Sequence, residues 1–252
     1  MGARGAGMGY ATATLRDEWS LLNNAGGLSR IDQPTVAFAY EAHPGLIGGN
    51  RIAALFSSPL KIGVAGVGLF RFGDDLYNEQ IISTGYSNQF GIASLGLKVN
   101  YIQYHADGFG NRTAISLNFG GITQITPRIV IGAYVVNINQ PRISTIDKER
   151  LPTKLVAGIS FKPGGGIWIV SEIEKDLNYD ATLKGGIEYS INKKVCFRTG
   201  FNFHPNAAFF GLGFLIKKIK IDYAFQYTTT LSGAHQASVI YQLQKKKKKR
   251  EG

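Results

Sequence analysis

The stretch KIDYAFQYT, residues 220–228, decides how this chain is read. Ile221, Tyr223, Phe225 and Tyr227 fall on one face, and Lys220, Asp222, Ala224, Gln226 and Thr228 on the other. A repeat of two is that of an extended strand, and this alternation sets the strand between an apolar and a polar environment. Leu183, Gly185, Ile187 and Tyr189 alternate in the same way with Lys184, Gly186, Glu188 and Ser190. So do Val195, Phe197, Thr199, Phe201 and Phe203 with Cys196, Arg198, Gly200, Asn202 and His204.

Outward from there, turn signals divide the chain after Pro34 into about fourteen segments. They lie near 33–42, 50–58, 60–72, 78–89, 92–104, 111–123, 127–138, 152–162, 166–175, 180–191, 194–204, 207–217, 219–229 and 233–243. The connections alternate. One set is tight, including Ser58-Pro59, Thr126-Pro127 and Asn192-Lys193; the other is longer and more polar, including 43–49, 105–110 and 139–151. Short turns on one side and longer loops on the other are the pattern of an outer-membrane barrel. No run of eighteen apolar residues marks a membrane helix. Charged residues make up 18%, against about 25% in an ordinary soluble domain. A soluble β-sandwich would have to gather its apolar faces into one core, whereas here nearly every strand carries one. A long meander also leaves two exposed edges unless it closes.

The expected fold is therefore all-β: a closed transmembrane antiparallel β-barrel of about fourteen strands over 33–243. A plug segment precedes it at 1–32 and a basic tail follows at 244–252. The even strand number puts both termini on the short-turn side, the periplasm of a bacterial outer membrane. No apolar leader core follows Met1, so the expectation is a mature chain or a protein that is not exported. The strands favour the first.

The segment before the barrel reads GARGAGMGYATATLRDEWSLLNNAGGLS, residues 2–29. Small residues allow a backbone to approach a barrel wall closely, and Arg16, Asp17 and Glu18 suit a charged lumen, where they are expected to bond charged wall residues. The order GARGAGMGYA at 2–11, RDEWS at 16–20 and NNAGGLS at 23–29 resembles the N-terminal signature of PorV/PorQ-type proteins, within the wider FadL-like group. Asn24 stands where that signature has proline, and Gly27 is an extra glycine. The resemblance implies a fourteen-stranded outer-membrane barrel with an N-terminal plug, from a Bacteroidota-type bacterium. It also implies a role as a subunit or accessory of an outer-membrane complex linked to type IX secretion. The alternative is a FadL-like channel for uptake of a hydrophobic small molecule.

Nothing points to catalysis, a metal or a cofactor. Cys196 is alone, and His43, His105, His204 and His235 all map to the long-loop rim. His105 with Asp107 and Ser232 with His235 are the only suggestive pairs. There is no GxSxG, HExxH or phosphate-binding loop. The net charge of +11 is weighted to the tail, where Lys245–Lys249 and Arg250 carry no interleaved aromatics, so nucleic acid is not an expected partner. The expected partners are outer-membrane lipids and another outer-membrane or secreted protein.

On the polar face, Lys98, Glu172, Glu174, Lys184, Glu188, Arg198, Lys220 and Asp222 mix both signs on neighbouring strands. Charges confined inside a narrow barrel should pair. Such a lumen suits neither an apolar fatty-acid route nor a free-diffusion pore. The longest outward loop, 140–152, offers Arg142, Asp147, Lys148, Glu149 and Arg150 as a candidate partner contact.

Overall fold

A computed structural model describes residues 1–143, 150–177, 179–192, 194–228 and 233–243. Fourteen strands follow one another: β1 (Thr35–Ala42), β2 (Arg51–Pro59), β3 (Val64–Gly73), β4 (Tyr77–Phe90), β5 (Ala93–Ala106), β6 (Gly110–Gln124) and β7 (Ile129–Val136), then β8 (Lys154–Gly164), β9 (Ile167–Asp176), β10 (Thr182–Ile191), β11 (Val195–Asn202), β12 (Ala207–Ile216), β13 (Ile219–Thr228) and β14 (Ala234–Gln242). Each pairs antiparallel with the next. β14 returns to β1, from Thr35↔Gln242 to Ala42↔His235, and closes the barrel. Closure leaves no strand edge unpaired.

The alternation in sequence becomes the two faces of the wall. Ile221 and Tyr223 point outward, 40% and 42% exposed, while Asp222 between them is fully buried. Outward rows of Phe, Ile, Leu and Tyr recur on every strand, among them Phe38, Leu69, Leu97, Ile159, Phe197 and Val239. An apolar exterior around a polar interior is the surface of a barrel that crosses a bilayer.

Two local expectations need correction. The turn after β2 is not at Ser58-Pro59. Pro59 is the last residue of β2, and the reversal runs over 60–63, where Leu60 N donates to Gly63 O at 2.9 Å. Gly63 supplies the positive φ of 71° that this tight reversal requires. The glycine-rich leader also holds more helix than its composition suggests: one α-turn at Ala3–Ala6 (α1) and 3-10 turns at Glu18–Leu21 and Ala25–Arg30. Side chains of Asp17 and Asn24 cap the two 3-10 turns, accepting from Trp19 N and Gly26 N. Packing against the wall and these caps replace the length that an isolated helix would need.

Asp147, Lys148 and Glu149, Lys193 of one tight turn, Ser232 and the tail 244–252 lie outside the described residues.

Candidate functional site

The inward face gathers its charges into linked groups. Lys184 on β10 lies in register with Glu172 on β9, and its Nζ donates to Glu172 Oε1 at 3.2 Å and also to Glu174 Oε2. Lys154 Nζ reaches the other oxygen of Glu174 at 3.1 Å. In the second group, Glu188 on β10 lies in register with Arg198 on β11, and Arg198 Nε meets Glu188 Oε2 at 2.6 Å. Arg198 Nη1 continues to Asp222 Oδ1 at 2.7 Å, with Lys220 Nζ 3.7 Å from Oδ2.

Arg198 and Asp222 are not strand neighbours: β12 runs between them. Their register partners on β12 are Gly211 and Gly213. A Cβ on Gly213 would lie 2.5 Å from Asp222 Oδ1 and 2.7 Å from Arg198 Nη2, so glycine there leaves the space through which the pair meets.

Lys98 stands apart from these groups. Its register partners are Gly85 and Asn118, both uncharged, and its Nζ donates to the carbonyl of Leu22 at 3.0 Å. A third group, absent from the sequence reading, centres on Glu41 of β1. Arg51 Nη1 at 2.8 Å, Tyr10 Oη at 3.0 Å and Gln236 Nε2 at 3.0 Å all donate to its carboxylate, and His43 Nε2 lies 3.2 Å away. Glu41 falls on the inward period of β1, so alternation alone could have found it.

The N-terminal segment meets these groups from within the ring. Arg4 Nε and Nη2 donate to the two oxygens of Glu188 at 2.9 and 2.8 Å, and Nη1 to Asp17 at 3.2 Å. The backbone amides of Thr12 and Ala13 both donate to Glu172 Oε2 at 2.7 Å. Asn24 Nδ2 donates to Ala13 O at 2.7 Å and to Gly121 O on β6 at 3.1 Å. The expected roles of Arg16, Asp17 and Glu18 are corrected here. Arg16 Nη1 donates to the neutral Gln124 at 3.0 Å, Asp17 serves as a cap and as the partner of Arg4, and Glu18 is buried in the 3-10 turn that Asp17 opens. The charged side chain of the segment that meets a wall carboxylate is Arg4, carried by α1, which itself packs on β12–β14. Burial, reinforced by the Glu41 carboxylate, pushes the Tyr10 hydroxyl well above its usual range.

Inward glycines let the segment's backbone touch the wall. Cβ atoms added at Gly96, Gly132, Gly186 and Gly200 would run into the backbone of Ala25, Ala13, Met8 and Gly9 respectively. On the opposite side the contact is apolar: Trp19, Leu21, Leu28 and Ile31 pack on Ala37, Ala39, Ala53, Leu55, Val64 and Ile240 of β1–β3 and β14. The segment thus hydrogen-bonds to β1, β5, β6, β9 and β10, and packs its apolar side chains on β1–β3 and β14.

Outside the wall, across β6–β8, lies an apolar trough of about 640 Å³. Its floor is a row of small residues in direct register, Gly121, Ala133 and Ala157, ending against Leu95 and Ile173. Phe119, Ile131, Val135 and Leu155 form its sides, and Lys175 lies at one end. The wall is thin here. Gly132 abuts the Ala13 carbonyl, and a Cβ on Gly26 would lie 2.7 Å from Gly121 Cα.

At the long-loop rim, Arg142 and Arg150 are exposed and face each other in an isolated antiparallel bridge. Next to them Ile143 and Leu151 pack on Ile102 and Ala114. All four histidines sit at this rim. His105 Nδ1 is 2.8 Å from Asn111 Oδ1 rather than bonded to Asp107, and His235 Nδ1 is 2.6 Å from Tyr223 Oη. Among the described residues no group of three or more His, Cys, Asp or Glu could hold a metal ion.

No protein-family model matches the chain, and no curated protein matches it in sequence. Solved structures do match it. The Pseudomonas putida toluene transporter TodX superposes with a TM-score of 0.73 at 11% identity, covering 95% of this chain and 96% of that one. The chain shares the fold of FadL-like transporters. The Ralstonia pickettii toluene transporter TbuX gives a TM-score of 0.73 at 13% identity, covering 97% and 98%. A Pseudomonas aeruginosa FadL homologue gives 0.66 at 11%, again covering 97% and 98%. Two of these structural neighbours are toluene transporters, and all three match the barrel over at least 95% of this chain.

Proposed function

We propose that this chain is an outer-membrane channel for a hydrophobic small molecule, with residues 1–32 as the plug in its lumen and both termini in the periplasm. The trough across β6–β8 carries this reading. It is apolar, it opens toward the bilayer, and a wall of glycine and alanine separates it from the plug backbone at Ala13 and Gly26. A hydrophobic solute gains roughly 25 cal/mol for each Å² of apolar surface taken out of water, so an apolar recess is where it would rest. The likeness to the toluene transporters TodX and TbuX points to the same class of solute. The accessory role in type IX secretion, implied by the N-terminal residue pattern, gains no support from the trough or from the structural neighbours.

The test is uptake of a radiolabelled monoaromatic hydrocarbon by vesicles containing the purified protein. Filling the trough with Gly121→Leu and Ala157→Leu should cut uptake by about an order of magnitude, while the folded barrel still shows its heat-modifiable gel shift. Full uptake by a correctly assembled double variant would remove the trough from the route. No uptake by the wild type, together with co-purification of a secretion component, would favour the accessory role.

A further inference from the structure

The two rims of the barrel differ in charge. The tight turns carry Lys61, Arg128, Lys194, Lys217 and Lys218, with Lys162 near the adjoining end of β8, and among the described residues of those turns there is no Asp or Glu. Among the described residues, the carboxylate at that end is Asp32, in the linker before β1. The opposite rim mixes its signs, with Asp74, Asp75, Asp107 and Asp180 beside Arg112, Arg142, Arg150 and Lys175. Lys61, Arg128, Lys194 and Lys217 are all exposed. Apolar side chains stand among them: Ile62 is 69% and Ile92 65% exposed, with Leu60, Ile125 and Ile216 also open.

A rim facing only water gains nothing from exposed isoleucines, and one immersed in hydrocarbon could not hold uncompensated lysines. The combination fits the headgroup boundary, where apolar side chains enter the acyl region and ammonium groups reach the phosphates. We infer that the short-turn rim is a docking surface for anionic phospholipid headgroups, recognised through their phosphate charge. Four tight turns and the end of β8 contribute, so the contact spans much of the ring rather than one pocket. It holds the barrel at a fixed depth and ties one rim to one leaflet. Charge complementarity selects lipid over the other candidate, an acidic protein, because the cations are divided among several turns rather than gathered at one, and are accompanied by isoleucines. The inference is independent of what passes through the barrel.

Native mass spectrometry of the full-length protein, released from nanodiscs holding equal phosphatidylglycerol and phosphatidylcholine, tests it. The wild type should retain phosphatidylglycerol preferentially. Each basic residue near an anionic surface is worth roughly fivefold in binding. The variant Lys61→Gln/Arg128→Gln/Lys194→Gln/Lys217→Gln should therefore lose the preference by more than about an order of magnitude. Arg112→Gln/Arg142→Gln/Lys175→Gln, at the other rim, should keep it. At about 1 M salt, where the Debye length falls to about 3 Å, the wild-type preference should vanish. A second arm adds lipid A, to tell whether any lipid phosphate serves or phospholipid is preferred; preference for lipid A over phosphatidylglycerol at this rim overturns the assignment to phospholipid. A third arm adds a hexaglutamate peptide. Tight peptide binding that phosphatidylglycerol does not displace would assign the rim to an acidic protein instead. Equal retention of the two phospholipids by the wild type, or an undiminished preference in the short-turn variant, overturns the proposal outright.

Discussion

Arg4 and Glu188 form a two-pronged ion pair, Nε to Oε2 at 2.9 Å and Nη2 to Oε1 at 2.8 Å, joining residues 184 positions apart. It links the first helical turn of the chain to the middle of the barrel wall. Glu188 is held from its other side by Arg198, so it keeps one cation whatever happens to Arg4.

Removing Arg4 should therefore loosen the N-terminal segment without unfolding the barrel. Loss of one partner from a buried pair costs about 3–5 kcal/mol, and the remaining Arg198 contact puts Arg4→Ala at the low end. Limited proteolysis should cut the segment near Arg16 faster, and single-channel conductance should rise. An unchanged digestion pattern in Arg4→Ala would mean that the segment is held elsewhere.

Gly213 is the opening through which Arg198 reaches Asp222. A side chain there must displace one of the two ions, and overpacking costs about 1–3 kcal/mol. Gly213→Val should lower the temperature of the heat-modifiable gel shift by several degrees. Asp222→Asn should then add little further, because both changes disable the same pair. Additive losses would show that the pair does not stabilise the barrel.

Glu172 accepts the amides of Thr12 and Ala13 together with Lys184 Nζ. Glu172→Gln keeps the shape and removes the charge. Hydrogen bonds to a charged group are worth about 1.5–3 kcal/mol. Amide exchange at residues 12 and 13 should accelerate by one to two orders of magnitude, with β9 and β10 unaffected. Equal acceleration in the strands would place the effect in the wall rather than in the segment.

The ladder between β14 and β1 is complete by Gln242, the register partner of Thr35. Truncation after Gln244 should accordingly leave barrel assembly and its gel shift intact, since the described β14–β1 bonds, through Leu243 N to Pro34 O at 2.7 Å, all lie before it. Failure of the truncated chain to assemble would show that the basic tail takes part in folding.

The sequence by itself determined the number of strands and the face each residue takes, because period two is a property of the local backbone. Asp222 inside and Tyr223 outside were legible from nine residues. So, in large part, were Lys184 with Glu172 and Glu188 with Arg198, since each pair faces across one hairpin whose turn fixes the register. The tertiary structure decided the rest. That Arg4 rather than Arg16 meets a wall carboxylate, that Lys98 bonds a carbonyl instead of a carboxylate, and that Gly213 opens a path between two ions depend on how a closed ring brings distant segments together. So does the trough, which exists only because Gly121, Ala133 and Ala157 come into line when three strands pair. Alternation specifies which way a side chain points; closure of the barrel around the N-terminal segment specifies what it finds there.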